Sequence, residues 1–136
     1  MADEQETQGT GGVERAKSIL IIDDQESTRA LMREAAEKMP FPCNVREAAD
    51  GQAAVRLARE ESPDLVLLDI VLPGSSTSGV LICNQLCREG AKVVIVSGQA
   101  SKAIVQACLS SGAIDYVPKP FSVDSLREKM ERWLAS

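Results

Sequence analysis

The chain has 136 residues, of which 44% are hydrophobic, and a net charge of −5. This length suits one globular domain with a core of its own, the net acidity argues against a nucleic-acid-binding surface, and no apolar run approaches the length of a membrane span. The sequence contains no histidine, which excludes serine or cysteine nucleophiles that depend on histidine. For the same reason, any phosphoryl group delivered from a histidine must come from a separate molecule.

The first segment, residues 1–17, is polar and rich in glycine. It has too little apolar surface to offset the entropy of ordering, and its acidic start is unlike a secretory signal. We expect a flexible acidic tail over residues 1–17, with partner docking as the alternative, followed by one domain over residues 18–136. We also expect the protein to be cytoplasmic.

From Ser18 onward, segments with strand patterns alternate with segments that have helical spacing. Four apolar runs and one short polar segment predict five strands, at residues 19–22, 43–47, 65–68, 93–96 and 114–117. Helical spacing of apolar residues predicts the intervening helices, as at Leu31, Ala35 and Met39, at Ala53, Ala54, Leu57 and Ala58, and at Leu126, Met130, Trp133 and Leu134. This alternation predicts an α/β fold with a parallel sheet covered on both faces.

Four cysteines occur in the chain: Cys43, Cys83, Cys87 and Cys108. Cys83 and Cys87 are four residues apart and would share one face of a helix. A thiolate metal site or a redox pair is an alternative, but the sequence has no C-x-x-C spacing and no histidine to complete a mixed site. We therefore expect buried, reduced cysteines.

Four of the predicted strands are followed by residues that can handle a phosphoryl group. Asp23 and Asp24 follow the first strand, Asp69 the third, Ser97 the fourth and Lys119 the fifth. The carboxyl ends of parallel strands share one edge of the sheet, where ligands bind in open α/β folds. Converging carboxylates need a counter-charge, and a set of oxygen ligands favours Mg²⁺.

An aspartate at a strand end is often only a turn former or a helix cap. The recurrence of aspartate at two strand ends, with serine and lysine at two others, favours a functional site instead. Asp69 stands alone after a central strand and is the candidate nucleophile toward phosphorus, which would give an aspartyl phosphate. Lys119, held between Pro118 and Pro120, would neutralise phosphoryl charge, and the Ser97 hydroxyl would donate a hydrogen bond to a phosphoryl oxygen.

Several longer stretches share these residues with a known family. They are Ile19-Leu-Ile-Ile-Asp-Asp-Gln, Arg46-Glu-Ala-Ala-Asp-Gly51, Asp69-x-x-Leu72-Pro73, Val96-Ser97-Gly98 and Gly112-Ala-Ile-Asp-Tyr-Val-Pro-Lys-Pro-Phe121. Together they resemble the receiver domain of bacterial two-component response regulators, from Ser18 to the end of the chain. A doubly wound, flavodoxin-like sheet of strand order 2-1-3-4-5 would put the polar second strand at the edge and open the pocket between strands 1 and 3. That order is taken from known folds of this type, since the residues alone leave the order of the strands open.

The resemblance implies a set of metal ligands and a phosphoryl donor. Asp24 and Asp69 would bind Mg²⁺ directly, together with the backbone carbonyl of Val71, while Asp23 would act largely through water. Asp69 would accept the phosphoryl group from a phosphohistidine on a sensor histidine kinase or a phosphotransfer protein. The protein would then catalyse only its own phosphotransfer and autodephosphorylation.

The resemblance also implies how phosphorylation is read. Ser97 and Tyr116 would form a switch pair that shifts the populations of the face around the fourth helix, fifth strand and fifth helix, and so controls an output domain or a partner protein. The Lys119-Pro120 bond would be cis. The loop Gly74–Gly79 is about two residues longer than is usual in the family, and we expect a flexible insertion there.

Two other functions compete with a phosphorylated receiver. A degenerate receiver that works only through protein contacts is the alternative, although every expected site residue is present. A phosphatase of the haloacid dehalogenase type would need D-x-D at the first strand, which the adjacent Asp23 and Asp24 do not form, and no glycine-rich nucleotide loop occurs. Homodimer formation remains open, as does the choice between a stand-alone receiver and a piece of a longer regulator.

Overall fold

The computed structural model describes residues 15–70, 79–98 and 100–135. Within these ranges five strands alternate with five helices. In chain order they are β1 (Lys17–Ile22), α1 (Glu26–Glu37), β2 (Cys43–Ala48), α2 (Gly51–Glu61), β3 (Leu65–Leu68), α3 (Gly79–Arg88), β4 (Val93–Ser97), α4 (Lys102–Ser110), β5 (Asp115–Pro118) and α5 (Val123–Leu134).

The strands form one parallel sheet in the order β2-β1-β3-β4-β5, which confirms the flavodoxin-like fold. The polar strand β2 lies at the edge, as predicted. Strands β1 and β3 are neighbours in register, with Ile22 opposite Leu68. Asp23 and Asp69 therefore leave the sheet side by side, and the Asp69 amide donates a hydrogen bond to the Ile22 carbonyl at 2.9 Å.

The described core has one apolar layer on each face of the sheet, because alternate strand residues point to opposite faces. Helices α2, α3 and α4 cover the first layer and α1 and α5 cover the second. The central strands are buried on both faces, which explains their continuous apolar runs. Among the described residues, no helix is both long and apolar enough to cross a membrane.

Two residues of the predicted core differ from the structure. Leu31 is 42% exposed, and its neighbour Met32 is fully buried in its place. Ile114 is 44% exposed and precedes β5, which begins at Asp115. In both cases helical or strand spacing was right, but which of two adjacent apolar residues faces the core depends on how the element sits on the sheet.

All four cysteines lie in the described part of the chain and are free thiols, as predicted, but only two of them are buried, since Cys43 and Cys87 are partly exposed. Cys83 and Cys108 are fully buried, and the Cys83 thiol donates a weak hydrogen bond to the Cys108 carbonyl at 3.8 Å. Burial raises the pKa of both thiols above the ordinary value of 9.0. Little thiolate, which is the reactive form, is therefore present at neutral pH.

We predict that Cys83 and Cys108 react with a soluble thiol reagent far more slowly than the half-buried Cys43 and Cys87. Thiol titration of the native protein should show two slow groups, and all four should react alike in denaturant. The raised pKa values also predict that stability falls as the pH rises above about 9.0, because the unfolded chain then releases thiol protons that the folded chain retains. Fast labelling of Cys83 in the native protein would contradict this assignment.

Candidate functional site

The predicted site residues meet at the carboxyl edge of the sheet. A cavity of about 480 Å³ is lined by Asp24, Asp69, Ser97 and Lys119. Asp23 is fully buried beside this group, whereas Asp24 is exposed. Because Asp69 and Ser97 are only 5% and 1% exposed, a reacting group has to enter the cavity to reach them.

The three aspartates are close enough to hold one cation together. Each of Asp23, Asp24 and Asp69 offers a carboxylate oxygen, and these three atoms all lie within 4.8 Å of one another. Carboxylate oxygens are hard ligands, which fit Mg²⁺ better than a thiophilic metal. The residues present therefore fit the expected metal. Val71, whose carbonyl was expected to join them, lies outside the described residues.

Lys119 bridges two of these carboxylates. Its Nζ lies 2.7 Å from Asp23 Oδ2 and 3.0 Å from Asp69 Oδ2. Burial alone would lower the pKa of Lys119, but the hydrogen bonds to the two aspartates outweigh it and raise that pKa. For Asp23 the balance is reversed, because burial raises its pKa more than the lysine lowers it. Lys119 is thus the counter-charge that the converging carboxylates require.

The two residues expected to form the switch pair are joined through the backbone of β4. The Tyr116 hydroxyl donates to the Ser97 carbonyl at 3.1 Å, and the Lys119 amide donates to the same carbonyl at 3.2 Å. The Lys119-Pro120 bond is cis. At Gly98, an added Cβ would lie 3.2 Å from the Lys119 Cβ, so the chain after β4 passes close to the lysine stem.

Sequence reasoning missed four of the residues that line the cavity. Thr28 and Leu31 of α1 contribute one wall, and Pro120 and Phe121 contribute another. The sequence carried no signal for Leu31, because its helical spacing with Ala35 and Met39 had placed it in the core. The lining of the cavity thus combines charged and apolar residues.

Gly79 holds α3 close to the residue that follows Asp69. A Cβ at this position would lie 2.2 Å from the carbonyl oxygen of Ile70 and 2.7 Å from its Cα. Only glycine allows this approach without moving the backbone. The preceding loop, residues 74–78 of the predicted insertion, lies outside the described residues.

A family comparison decides what kind of domain this is. The family model of the response regulator receiver domain matches residues 19–131. The chain belongs to this family. Receiver domains are signalling modules of two-component systems that bind Mg²⁺ at an acidic pocket and interact with histidine kinases or phosphotransfer proteins and with output domains. In this receiver Asp23, Asp24 and Asp69 form an acidic cluster at the carboxyl edge of the sheet.

Individual relatives agree with this assignment. The chain is 31% identical over 118 residues to sporulation initiation phosphotransferase F of Bacillus subtilis, covering 87% of this receiver and 94% of that protein. It is also 31% identical to chemotaxis protein CheY of B. subtilis, with coverage of 88% and 98%. A CheY-like receiver structure from Methanospirillum hungatei superposes with a TM-score of 0.79 at 28% identity, over 89% of this chain and 95% of that one. Other curated relatives are longer, and this receiver spans about half of their length.

We predict that Lys119→Met destabilises the metal-free receiver by about 3 kcal/mol, because the buried Asp23 and Asp69 then face each other without a counter-charge. The same change should tighten Mg²⁺ binding by up to about tenfold, because the metal no longer competes with the ammonium. Urea unfolding with and without Mg²⁺ measures both effects. Lys129→Met on α5 is the matched control, and an equal loss of stability there would rule out this account.

We predict that Gly79→Ala lowers stability by roughly 1–3 kcal/mol and slows phosphorylation, because the new methyl group must push Ile70, and with it Asp69, out of place. Gly90→Ala is the matched control. Gly90 has a φ of 93° and open space around its Cα, so alanine there should cost only the backbone strain of about 1–2 kcal/mol. Unfolding curves and phosphorylation rates of both variants test this. Equal phosphorylation rates would show that the contact with Ile70 does not matter for the site.

Proposed function

We propose that Asp69 accepts a phosphoryl group from a phosphohistidine donor in a Mg²⁺-dependent reaction. The observation that carries the proposal is the position of Asp69, which is nearly buried at the cavity floor, 3.0 Å from the Lys119 ammonium and grouped with Asp23 and Asp24. The absence of histidine from the chain supports a separate molecule, a sensor kinase or a phosphotransfer protein, as the donor.

The chemistry is a transfer between two nucleophiles. A carboxylate oxygen of Asp69 attacks phosphorus, the phosphorus–nitrogen bond of the donor breaks, and the histidine nitrogen keeps the electron pair and takes up a proton. The product is an aspartyl phosphate, which water later hydrolyses to the free carboxylate and inorganic phosphate. Mg²⁺ held by Asp24 and Asp69, with Asp23 acting largely through water, would offset the charge of the phosphoryl oxygens. The Val71 carbonyl remains the proposed third direct ligand.

Lys119 and Ser97 have complementary parts in this reaction. On transfer, the Lys119 ammonium exchanges its contact with Asp69 for a phosphoryl oxygen and so neutralises part of the added charge. The Ser97 hydroxyl donates to another phosphoryl oxygen. Because the Ser97 carbonyl accepts from both Tyr116 and Lys119, a shift of Ser97 toward the phosphoryl group is expected to move the tyrosine as well.

The response would reach partners through the face formed by α4, β5 and α5. Tyr116 lines a second cavity, of about 650 Å³, together with Ala103, Val105 and Gln106 of α4. A change in the position of the tyrosine therefore alters the surface next to α4. We propose that this face controls an output domain or a partner protein, and that the protein works in the cytoplasm.

Incubation with acetyl phosphate and Mg²⁺, followed by intact mass measurement, tests the acceptor. One phosphoryl adduct is expected on the unmodified protein, and Asp69→Asn should abolish it because the amide is not a nucleophile toward phosphorus. Asp124→Asn, the same chemical change at an exposed residue of α5, should leave the adduct intact. Phosphotransfer from a phosphorylated histidine kinase domain then tests the donor.

The outcomes separate the two candidate functions. An undiminished adduct on Asp69→Asn would move the acceptor elsewhere. No adduct on the unmodified protein, under conditions that phosphorylate another receiver, would favour the degenerate receiver that acts by contacts alone.

A further inference from the structure

Arg29 of α1 connects three parts of the domain through one guanidinium group. Its Nη1 donates to the backbone carbonyl of Asp23 at 2.7 Å, its Nε to Glu47 Oε1 at 3.0 Å and its Nη2 to Glu26 Oε1 at 2.7 Å. The side chain is only 15% exposed. Arg29 takes no part in the proposed phosphoryl transfer. It nevertheless contacts the loop that carries Asp23 and Asp24, two of the three clustered carboxylates.

The hydrogen bond from Arg29 Nη1 to the Asp23 carbonyl is the one that bears on the acid cluster. The Asp23 carbonyl belongs to the peptide that joins Asp23 to Asp24. Because that peptide is planar, a hydrogen bond to its oxygen resists rotation of the plane. The plane in turn sets the direction in which the Asp24 side chain leaves the backbone. Neighbouring bonds fix Asp23 itself, since its amide donates to the Ala48 carbonyl at 3.1 Å and its Oδ1 accepts from the Gln25 amide at 2.9 Å.

Glu47 keeps the guanidinium in this position. Its Oε1 accepts from Arg29, while its Oε2 accepts from Arg33 Nη1 at 2.5 Å. The carboxylate is therefore held at both oxygens, which limits the rotation of Arg29 about its stem. Glu47 lies on the edge strand β2, which supplies no side chain to the acid cluster.

We propose that Arg29, held by Glu47, is a positioning residue for the metal site. It orients the Asp23–Asp24 peptide so that Asp24 faces Asp69, and the edge strand β2 thereby acts on the site indirectly. This inference rests on the proposed function, in which these aspartates bind Mg²⁺. Arginine suits the task because its planar group presents several donors in fixed directions, whereas a lysine ammonium would serve the same acceptors without that geometry.

The sign of the effect distinguishes positioning from simple charge. Removal of a positive charge near the acid cluster should by itself tighten the binding of a divalent cation. Loss of an orienting hydrogen bond should weaken it, and residues that orient metal ligands typically change affinity by about 10–100-fold. Arg29→Met keeps most of the apolar stem and removes the donors, so the two explanations predict opposite shifts.

The test is a Mg²⁺ titration of the full chain that is monitored by the NMR chemical shifts of the backbone amides. The same spectra report the dissociation constant and whether the protein is folded. Arg29→Met should weaken Mg²⁺ binding by about tenfold or more. Arg46→Met on β2 is the matched control, because it removes an equal charge and its ion pairs to Glu60 and Glu61 without touching Glu47 or Asp23. It should leave the affinity unchanged or slightly higher. Arg29→Lys should recover only part of the loss.

Each outcome decides between specific explanations. Unchanged or tighter binding by Arg29→Met would overturn the positioning role, and so would an equal weakening by Arg46→Met. If the unmodified protein itself fails to bind Mg²⁺, the metal part of the proposed function fails first. Normal binding by the unmodified protein together with normal binding by Arg29→Met would remove only the present inference.

Discussion

The arrangement of the site depends on one interaction, in which the Lys119 ammonium contacts the carboxylates of both Asp23 and Asp69. The register that places Ile22 opposite Leu68 forces Asp23 and Asp69 to leave the sheet side by side, and both are nearly excluded from solvent. Two buried carboxylates at this separation repel each other strongly. One lysine following β5 offsets that repulsion, although a buried ion pair of this kind adds little net stability. In the proposed function, the pairing prepares the site for a phosphoryl group and a metal rather than adding stability.

The sequence allowed most of the fold to be predicted because burial on both faces leaves a simple pattern. The run 65–68 predicted β3 with its observed bounds, and the polar segment at Cys43 predicted the edge strand. The strand order could not be predicted from the residues, since apolar runs of similar composition do not state which neighbour each one pairs with. Leu31 and Ile114 were misplaced for a related reason: two adjacent apolar residues compete for the core, and packing against the sheet selects one.

The site was predictable to the extent that it lies at strand ends. Asp23, Asp69, Ser97 and Lys119 lie at or just after the ends of strands, and parallel pairing alone brings them to one edge. The wall formed by Thr28 and the support from Arg29 come from α1, whose side chains reach the site across space rather than along a strand. An arginine six residues after Asp23 has no distinctive pattern in a charged helix, so the sequence could not separate it from a solvated residue.

The two sides of the cavity differ in how firmly they are held, and this difference suits their proposed tasks. On the β1 side, Asp23 is bonded through its amide, its carbonyl and its carboxylate, so the segment after β1 that carries Asp23 and Asp24 has little freedom. On the β4 and β5 side, one carbonyl, that of Ser97, accepts from both Tyr116 and Lys119, and one of the two carboxylates that bind the Lys119 ammonium is Asp69, the proposed acceptor. A new anion at Asp69 would draw Lys119 and Ser97 toward it, while Asp23 would stay in place. We therefore expect the conformational change to occur on the side of β5 and α4. On that side the phosphoryl group can replace existing partners of Lys119 and Ser97.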